Sequence, residues 1–233
     1  MTFDFTPELD AHVQEARRVA ATFLAPEAAG IDRSGKIPDA VRAAAAPLVN
    51  WQGSALASVL AIEELAVASA SAAACAAIGS DGGEGLAGLR GVPPPAAAPT
   101  DRQYLGLASV CLGIGRAALT EALEQLKVRG DRPSGEPADA PHWVLADAAT
   151  GLEAARWLVR AAAQDGGGGA ASALVFAGDA ASQAVDAAVR IVGADACRVG
   201  SSLDRCSRDI RAARLLLGTE DQARLRAAGH LLG

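Results

Sequence analysis

The sequence predicts an all-α protein, on three observations. Of the 233 residues, 51% are apolar but only 3% are aromatic, so the apolar content is mostly Ala, Leu and Val. Small residues that form helices well favour closely packed helices over a β-sandwich. Apolar residues also recur at helical spacing along most of the chain, and no segment has a convincing strand pattern. We expect helices over about residues 7–24, 38–46, 53–78, 101–129, 138–164, 169–193, 204–216 and 219–231.

The first helix has a clear start and end. Thr6-Pro7-Glu8 supplies a capping hydroxyl, then Pro at the first helical position, then an acid in the first turn. Pro26 ends or kinks this helix. The turn-rich residues 31–36 then predict a connector to the next helix.

Residues 79–100 differ in character from the rest of the chain. The stretch GSDGGEGLAGLRGVPPPAAAPT is dense in Gly and Pro and has no periodicity, which is typical of a linker. It divides the chain into an N-terminal helical domain at 1–78 and a C-terminal helical bundle at 101–233. The second part supplies three long helices and two short ones, which suit an antiparallel bundle with short loops.

Charge and composition argue against several function classes. The net charge of -6, without a basic run, argues weakly against nucleic acid or an anionic membrane as a partner. The longest apolar run, 55–78, contains Glu63 and Glu64 near its centre, which favours a buried helix over a membrane span. The N-terminus has no secretion signal pattern, so we expect a cytoplasmic protein with free thiols. The four cysteines form no CxxC pair, and no metal site is expected.

Three stretches of the chain carry motifs. The first, FTPELDAHVQEARRVAATFLAPEAAGIDRSGKIPDAVRAA, contains Leu24-Ala25-Pro26 and an I-D-x-x-G-x-x-P connector from Ile31 to Pro38. The second, SALASVLAIEELAVASASAAACAAI, contains I-E-E-L-A from Ile62 to Ala66. The third comprises LGIGRAALTEALEQLKVR, LADAATGLEAARWLVRAAA and LDRCSRDIRAARLLLGTEDQ. Taken together and in this order, they resemble the acyl-CoA dehydrogenase superfamily over about 1–78 and 102–233.

The resemblance implies a particular architecture. Family members have an N-terminal helical domain, a middle β-domain and a C-terminal four-helix bundle. The β-domain covers the flavin and one side of the acyl-CoA channel. Here a linker of some 20 residues takes its place, and that length cannot hold a β-domain. We therefore expect both helical domains of this type and no β-domain.

The resemblance also identifies where a catalytic base is expected. The family uses a carboxylate to remove the α-proton of the substrate, most often the Glu of a Y-E-G-T-x-x-I-Q motif. Leu217 occupies that position here. Some members carry the base at the start of the first bundle helix, and that position aligns with Gln103. Neither side chain can take a proton, and the nearby carboxylates Asp101 and Glu220 are better interpreted as a helix cap and a first-turn acid.

Four residues align with family positions that contact FAD, but the motifs around the first two are altered. Arg129 matches the Arg of R-x-x-F-G, but Arg132 and Pro133 replace its Phe and Gly. In the family's Q-x-x-G-G-x-G-Y loop only Gly193 remains, and Asp195 adds a negative charge. The last two, Gly218 and Thr219, match the G-T of the base motif, although they also suit a helix stop and restart.

The arginines of the terminal segment have two interpretations. Arg205, Arg208, Arg211 and Arg214 recur every third residue. With Asp204 and Asp209 they suit a solvated, ion-paired helix face, and the sharper alternative is a surface for an anion or a partner.

Three functions are compatible with these patterns. The preferred hypothesis is a degenerate subunit of a flavin-dependent oxidoreductase that acts on the CH–CH bond of acyl-CoA thioesters and is not catalytic alone. It implies FAD bound together with a partner, in a homo- or hetero-oligomer with an acyl-CoA dehydrogenase-type subunit. The alternatives are a flavin monooxygenase-like protein of the same fold and a non-enzymatic helical relative with no ligand.

Overall fold

The computed structural model describes residues 6–78, 98–129 and 140–232, and every regular element within these ranges is a helix. The N-terminal part contains α1 (Pro7–Val19), α2 (Ala28–Ser34), α3 (Asp39–Ala45), α4 (Ala55–Ala68) and α5 (Ala70–Ile78). The C-terminal part contains α6 (Asp101–Arg129), α7 (Ala140–Gln164), α8 (Ala170–Val192), α9 (Ser202–Ala213) and α10 (Glu220–Leu232). The predicted all-α fold is confirmed.

The predicted connector at 31–36 is largely helical, so that prediction was wrong. Ile31 lies in α2 and is only 1% exposed, and its burial in the core outweighs the local preference for a turn. Gly35 ends α2 in the left-handed conformation, with φ at 70°. The first helix also changes form near its end, because a π-helical segment, Ala20–Leu24, continues α1.

The long helix predicted over 53–78 is broken at Ser69. This residue is extended, with φ at −153° and ψ at 104°, so it separates α4 from α5. Its hydroxyl accepts a hydrogen bond from the Ala72 backbone N–H at 3.4 Å. A serine that caps the next helix competes with continuation of the first.

Helix α6 lies at the centre of the molecule and packs against α4, α5, α7, α8 and α9. Three glycines allow this close packing. A Cβ at Gly106 would lie 2.9 Å from the Ala77 Cβ, and one at Gly113 would lie 2.4 Å from the Ala66 Cβ. On the other side of the helix, Gly115 packs against Leu152. The N-terminal helices and the bundle therefore share one interface with almost no space for larger residues.

By length and composition alone, the stretch Asp101–Val128 is the one helix of the described ranges that could cross a membrane. Within the fold, 78% of its apolar window is buried against the other helices. Its apolar character is therefore accounted for by its place in the core.

Glu63 and Glu64 do not point apart, although they are adjacent on α4. Arg116 of α6 reaches both, with Nη1 donating to Glu63 Oε1 at 2.9 Å and to Glu64 Oε1 at 3.2 Å. Arg156 of α7 donates to Glu63 Oε1 at 3.0 Å, and Arg17 of α1 donates to Glu64 Oε1 at 3.0 Å. We call these five residues the inter-helix ion network, and it joins α1, α4, α6 and α7.

The two carboxylates of this network are largely shielded from solvent. Their side chains are 5% and 11% exposed for Glu63 and Glu64. Burial alone would raise the pKa of Glu64, but hydrogen bonds from Arg17 and Arg116 outweigh it, and the pKa is lowered. The arginines thus favour the ionised form of Glu64.

Most of the predicted linker at 79–100 lies outside the described residues. Only Ala98 to Thr100 are described, and they belong to no helix. All four cysteines are free. Burial raises the pKa of Cys111 and of Cys206 to about 12, as expected for thiols in a protein core. Cys197, in contrast, is exposed.

Candidate functional site

Leu217 lies in the turn between α9 and α10 and is buried, with 7% of its surface exposed. The turn is closed by short-range backbone bonds, among them Gly218 N–H to Leu215 O at 3.2 Å. Gly218 has φ at 112°, and a Cβ there would lie within 2.2 Å of Gln222 Oε1. The glycine is therefore required by the turn itself.

The space around Leu217 is very small. Leu217 borders a cavity of about 20 Å³ together with Tyr104 and Leu107 of α6, Leu174 of α8 and Arg214. That volume is about one water molecule. An acyl thioester cannot enter it without displacing these side chains. The sequence singled out Leu217 and Arg214, but nothing in the spacing of the other three indicated that they would meet here.

The second base position is occupied by a residue with a structural role. Thr100 Oγ1 accepts from the Gln103 N–H at 3.3 Å, and Gln103 Oε1 accepts from the Thr100 N–H at 2.9 Å. This reciprocal pair is a capping box. The cap of α6 is thus Thr100, and the prediction that Asp101 caps the helix was wrong.

Both nearby carboxylates are bound to arginines. Arg214 Nε donates to Glu220, and Arg224 lies 2.9 Å from the same carboxylate. The hydrogen bond from Arg214 holds the pKa of Glu220 below its usual range. Asp101 accepts from Arg226 at 2.8 Å. A general base needs a pKa near the working pH, and the ion pairs move the pKa of Glu220 away from it.

The positions aligned with FAD contacts already use their backbone donors. The N–H of Gly193 bonds to Val189 O at the end of α8. The Gly218 N–H bonds to Leu215 O as described above, and the Thr219 N–H donates to Gln222 Oε1 at 3.0 Å. Each residue has a single backbone N–H, so none of the three is available to a diphosphate without breaking a bond of the fold.

Arg129 and Asp195, the other two residues predicted near the flavin, add no hydrogen-bond donor from a described side chain. Arg129 is the last residue of α6, and its side chain lies outside the described residues. Asp195 is exposed and pairs with Arg198 at 3.2 Å. At these positions no described backbone N–H is therefore free for a flavin diphosphate.

Two arginines of the predicted face, Arg208 and Arg214, form ion pairs, and Arg208 reaches the N-terminal part. The prediction that Asp209 belongs to a solvated face was wrong, because this residue is buried. Arg208 donates to both oxygens of Asp32 at 2.6 and 2.8 Å and to Asp204 at 3.0 Å. These hydrogen bonds raise the pKa of Arg208, and they lower that of Asp32. Arg214 instead turns towards α8, where it donates to Asp179 at 2.7 Å. The sequence pattern indicated the ion pairs but not that Asp32 would be a partner.

One carboxylate of α9 is buried. Asp209 is 7% exposed. Burial, with the negative charge of Asp32 adding to it, raises the pKa of Asp209 to about 7. Among the described residues, no group of three or more His, Cys, Asp or Glu side chains could hold a metal ion.

Comparison with known proteins defines the class to which this fold and site belong. Residues 100–232 match the family described as acyl-CoA dehydrogenase, C-terminal domain. The match covers more than half of the chain, so the protein belongs to the acyl-CoA dehydrogenase family. Members of this family typically bind FAD.

Individual relatives agree with this assignment. The 3-sulfinopropanoyl-CoA desulfinase of Variovorax paradoxus is 36% identical over 138 residues, which are 56% of this chain and 34% of that protein. The chain thus spans about a third of the length of the curated relatives that it matches.

Solved structures show the same fold at low identity. Butyryl-CoA dehydrogenase of Megasphaera elsdenii superimposes with a TM-score of 0.77 at 18% identity, over 100% of both chains. A chain in the structure of the electron transferring flavoprotein of Acidaminococcus fermentans gives 0.82, also at 18% identity and over 100% of both chains.

Proposed function

We propose that this chain is a degenerate subunit of a flavin-dependent oxidoreductase acting on acyl-CoA thioesters, and that it is not catalytic alone. The observation that carries the proposal is the buried Leu217 at the base position, beside a cavity of about 20 Å³. The site lacks both the proton acceptor and the room for the reacting carbons. Gln103, at the second base position, is engaged in a capping box, and the nearby carboxylate Glu220 is engaged in ion pairs.

The relatives support the substrate class of the proposed complex. The desulfinase from Variovorax paradoxus is named for its action on a CoA thioester. Its similarity extends over 56% of this chain, which supports a complex that binds such a thioester. The backbone N–H groups of Gly193, Gly218 and Thr219 are used by the fold. In the proposed complex the partner therefore supplies the main FAD contacts, and this chain supplies one wall of the flavin site.

A partner surface is supported by apolar side chains on the outside of the bundle. Trp143 of α7 is 63% exposed, and Leu225 of α10 is 73% exposed. Phe176 of α8 and Leu215, in the turn that carries Leu217, are also exposed. Contiguous exposed apolar patches mark protein interfaces, and we propose that these side chains contribute to one.

Purification of the chain alone and together with acyl-CoA dehydrogenase-type subunits tests the proposal. We expect the chain alone to be colourless and to give no acyl-CoA turnover, and a co-purified complex to contain FAD. Leu225→Asp should weaken the complex, whereas Ala11→Asp, at an exposed position on α1, serves as the matched control and should not.

Two outcomes contradict the proposal. Stoichiometric flavin in the chain alone, or turnover alone on the order of 1 s⁻¹, would show a complete site. A colourless chain that co-purifies with none of these subunits would support the second candidate, a helical relative without a ligand, which the engaged backbone donors also favour.

A further inference from the structure

A second, much larger cavity lies in the N-terminal part, between α3 and α5. Its volume is about 460 Å³, and it is open to the surface. Half of its lining residues are alanines, from α3, α5 and the turn after α3, and Val49, Trp51 and Ile78 add larger apolar side chains. It shares no lining residue with the small cavity at Leu217. Clefts of this size with apolar walls and a few polar groups are typical small-molecule sites.

The polar groups of this cleft are Arg42 and Cys75. Arg42 Nη1 donates to Cys75 Sγ at 3.0 Å, and its Nε donates to the Ile37 carbonyl at 3.3 Å. These bonds fix the guanidinium at the wall and use two of its five N–H donors. Arg42 forms none of the ion pairs found among the described residues. Of the described residues that line the cleft, it is the only charged one.

We propose that this cleft binds an amphipathic carboxylate, with the carboxylate on Arg42 and an unbranched apolar chain along the alanine walls. A carboxylate is the complementary partner of a guanidinium with unused donors, since such hydrogen bonds are charge-assisted and planar. The apolar lining matches the remainder of the ligand. The assignment goes beyond the proposed subunit function and does not depend on it, because no residue of the flavin or base positions lines the cleft.

The volume sets the size of the probe. Decanoate has twelve heavy atoms, and if each takes about the 30 Å³ of a water molecule, the total is roughly 360 Å³. That fits within the cleft of about 460 Å³. Removing one methylene from the chain should weaken binding by about fourfold, since each buried methylene contributes about 0.8 kcal/mol.

Tryptophan fluorescence of the full chain provides the first test. Trp51 lines the cleft, and replacing Trp143 and Trp157 by Phe leaves it as the sole tryptophan, since the chain has three. We expect saturable 1:1 binding of decanoate that is weakened at least tenfold by Arg42→Gln. Arg33→Gln, an exposed arginine of α2 outside the cleft, is the matched control and should leave the affinity unchanged. The neutral analogue 1-decanol should bind more weakly than decanoate.

Alkylation of the thiols provides an independent readout. Bound decanoate should slow the reaction of iodoacetamide with Cys75, followed by mass spectrometry of the digested chain. Cys197 is exposed on the bundle, so it reports any general effect on thiol reactivity within the same sample. Filling the cleft with Ala76→Phe should abolish binding while the circular dichroism stays that of a folded helical protein.

Three results would overturn the proposal. One is equal affinity for decanoate in the Arg42→Gln variant and the parent chain. Another is the lack of a saturable response of Trp51, which would show that the intact chain leaves the cleft closed to ligands. The third is equal protection of Cys75 and Cys197, which would indicate a detergent-like effect and no site.

Discussion

Replacing Glu63 by Gln tests whether the inter-helix ion network stabilises the fold. The Glu63 side chain is 5% exposed and accepts hydrogen bonds from Arg116 and Arg156, which are 29% and 18% exposed. Removal of one partner of a buried ion pair costs about 3–5 kcal/mol, because the other charge stays buried. The amide of Gln retains one acceptor oxygen, so we expect a loss of stability at the lower end of this range, about 3 kcal/mol. For a chain of this size that corresponds to a fall of about 6–12 °C in Tm.

Urea unfolding and thermal scans, followed by circular dichroism, measure the effect. The matched control is Glu15→Gln, which removes an exposed pair with Arg18 whose side chains are 45% and 58% exposed. Surface pairs of this kind contribute about 0–1 kcal/mol. Combining Glu63→Gln with Arg156→Gln should cost less than the sum of the single changes. If Glu63→Gln lowers the stability of the chain no more than Glu15→Gln, the inter-helix ion network does not hold the helices together.

Three further predictions concern packing, pH and capping. Gly113→Ala should lower the free energy of unfolding by about 1–3 kcal/mol, because the added Cβ would collide with Ala66 of α4. Gly229→Ala on α10 is the control: a Cβ there meets open space, so this change should be neutral or slightly stabilising. The contribution of Asp209 to stability should fall as pH rises from about 4 to about 7, because native Asp209 keeps its proton up to about pH 7 while the unfolded chain loses it near 3.8. The three-unit difference is worth up to about 4 kcal/mol. The difference in stability between the parent chain and Asp209→Asn, measured by urea unfolding at several pH values, should therefore fall over that range. Thr100→Ala should lower the free energy of unfolding by about 1 kcal/mol, because the cap of α6 is lost. Thr120→Ala should not, since it removes only an exposed hydroxyl bond to the i−4 carbonyl within the helix. Equal losses of stability in the two variants would contradict the capping role.

The helices of the C-terminal part could be predicted closely from the sequence. The helix predicted at 101–129 has the same bounds in the structure, and the others begin and end within three residues. Long amphipathic periodicity and clear stop signals explain this success. The N-terminal part was less predictable, since the break at Ser69 depends on one hydroxyl that caps the following helix. Likewise, α2 forms in a segment whose composition favours a turn.

At the candidate site, the sequence predicted the residues but not their neighbours in space. The resemblance placed Leu217 and Gln103 at the base positions, and their surroundings account for both residues in structural terms. What the sequence could not show is which groups converge there from distant helices, such as Tyr104 and Leu174 beside Leu217. Nor could it show that Asp32 and Arg208, 176 residues apart, would form a bidentate pair. Such contacts depend on how the helices cross, and spacing along one helix does not determine that.

The close approach of α4 and α6 has a consequence for how the chain responds to cleavage. With Gly113 against Ala66 and the inter-helix ion network alongside, the two helices are joined across the 79–100 stretch by contacts that need no covalent bond. A protease cut within that stretch should therefore give two fragments that migrate together on a sizing column. The same fragments, expressed separately, should reassemble when mixed, and Glu63→Gln should weaken that reassembly.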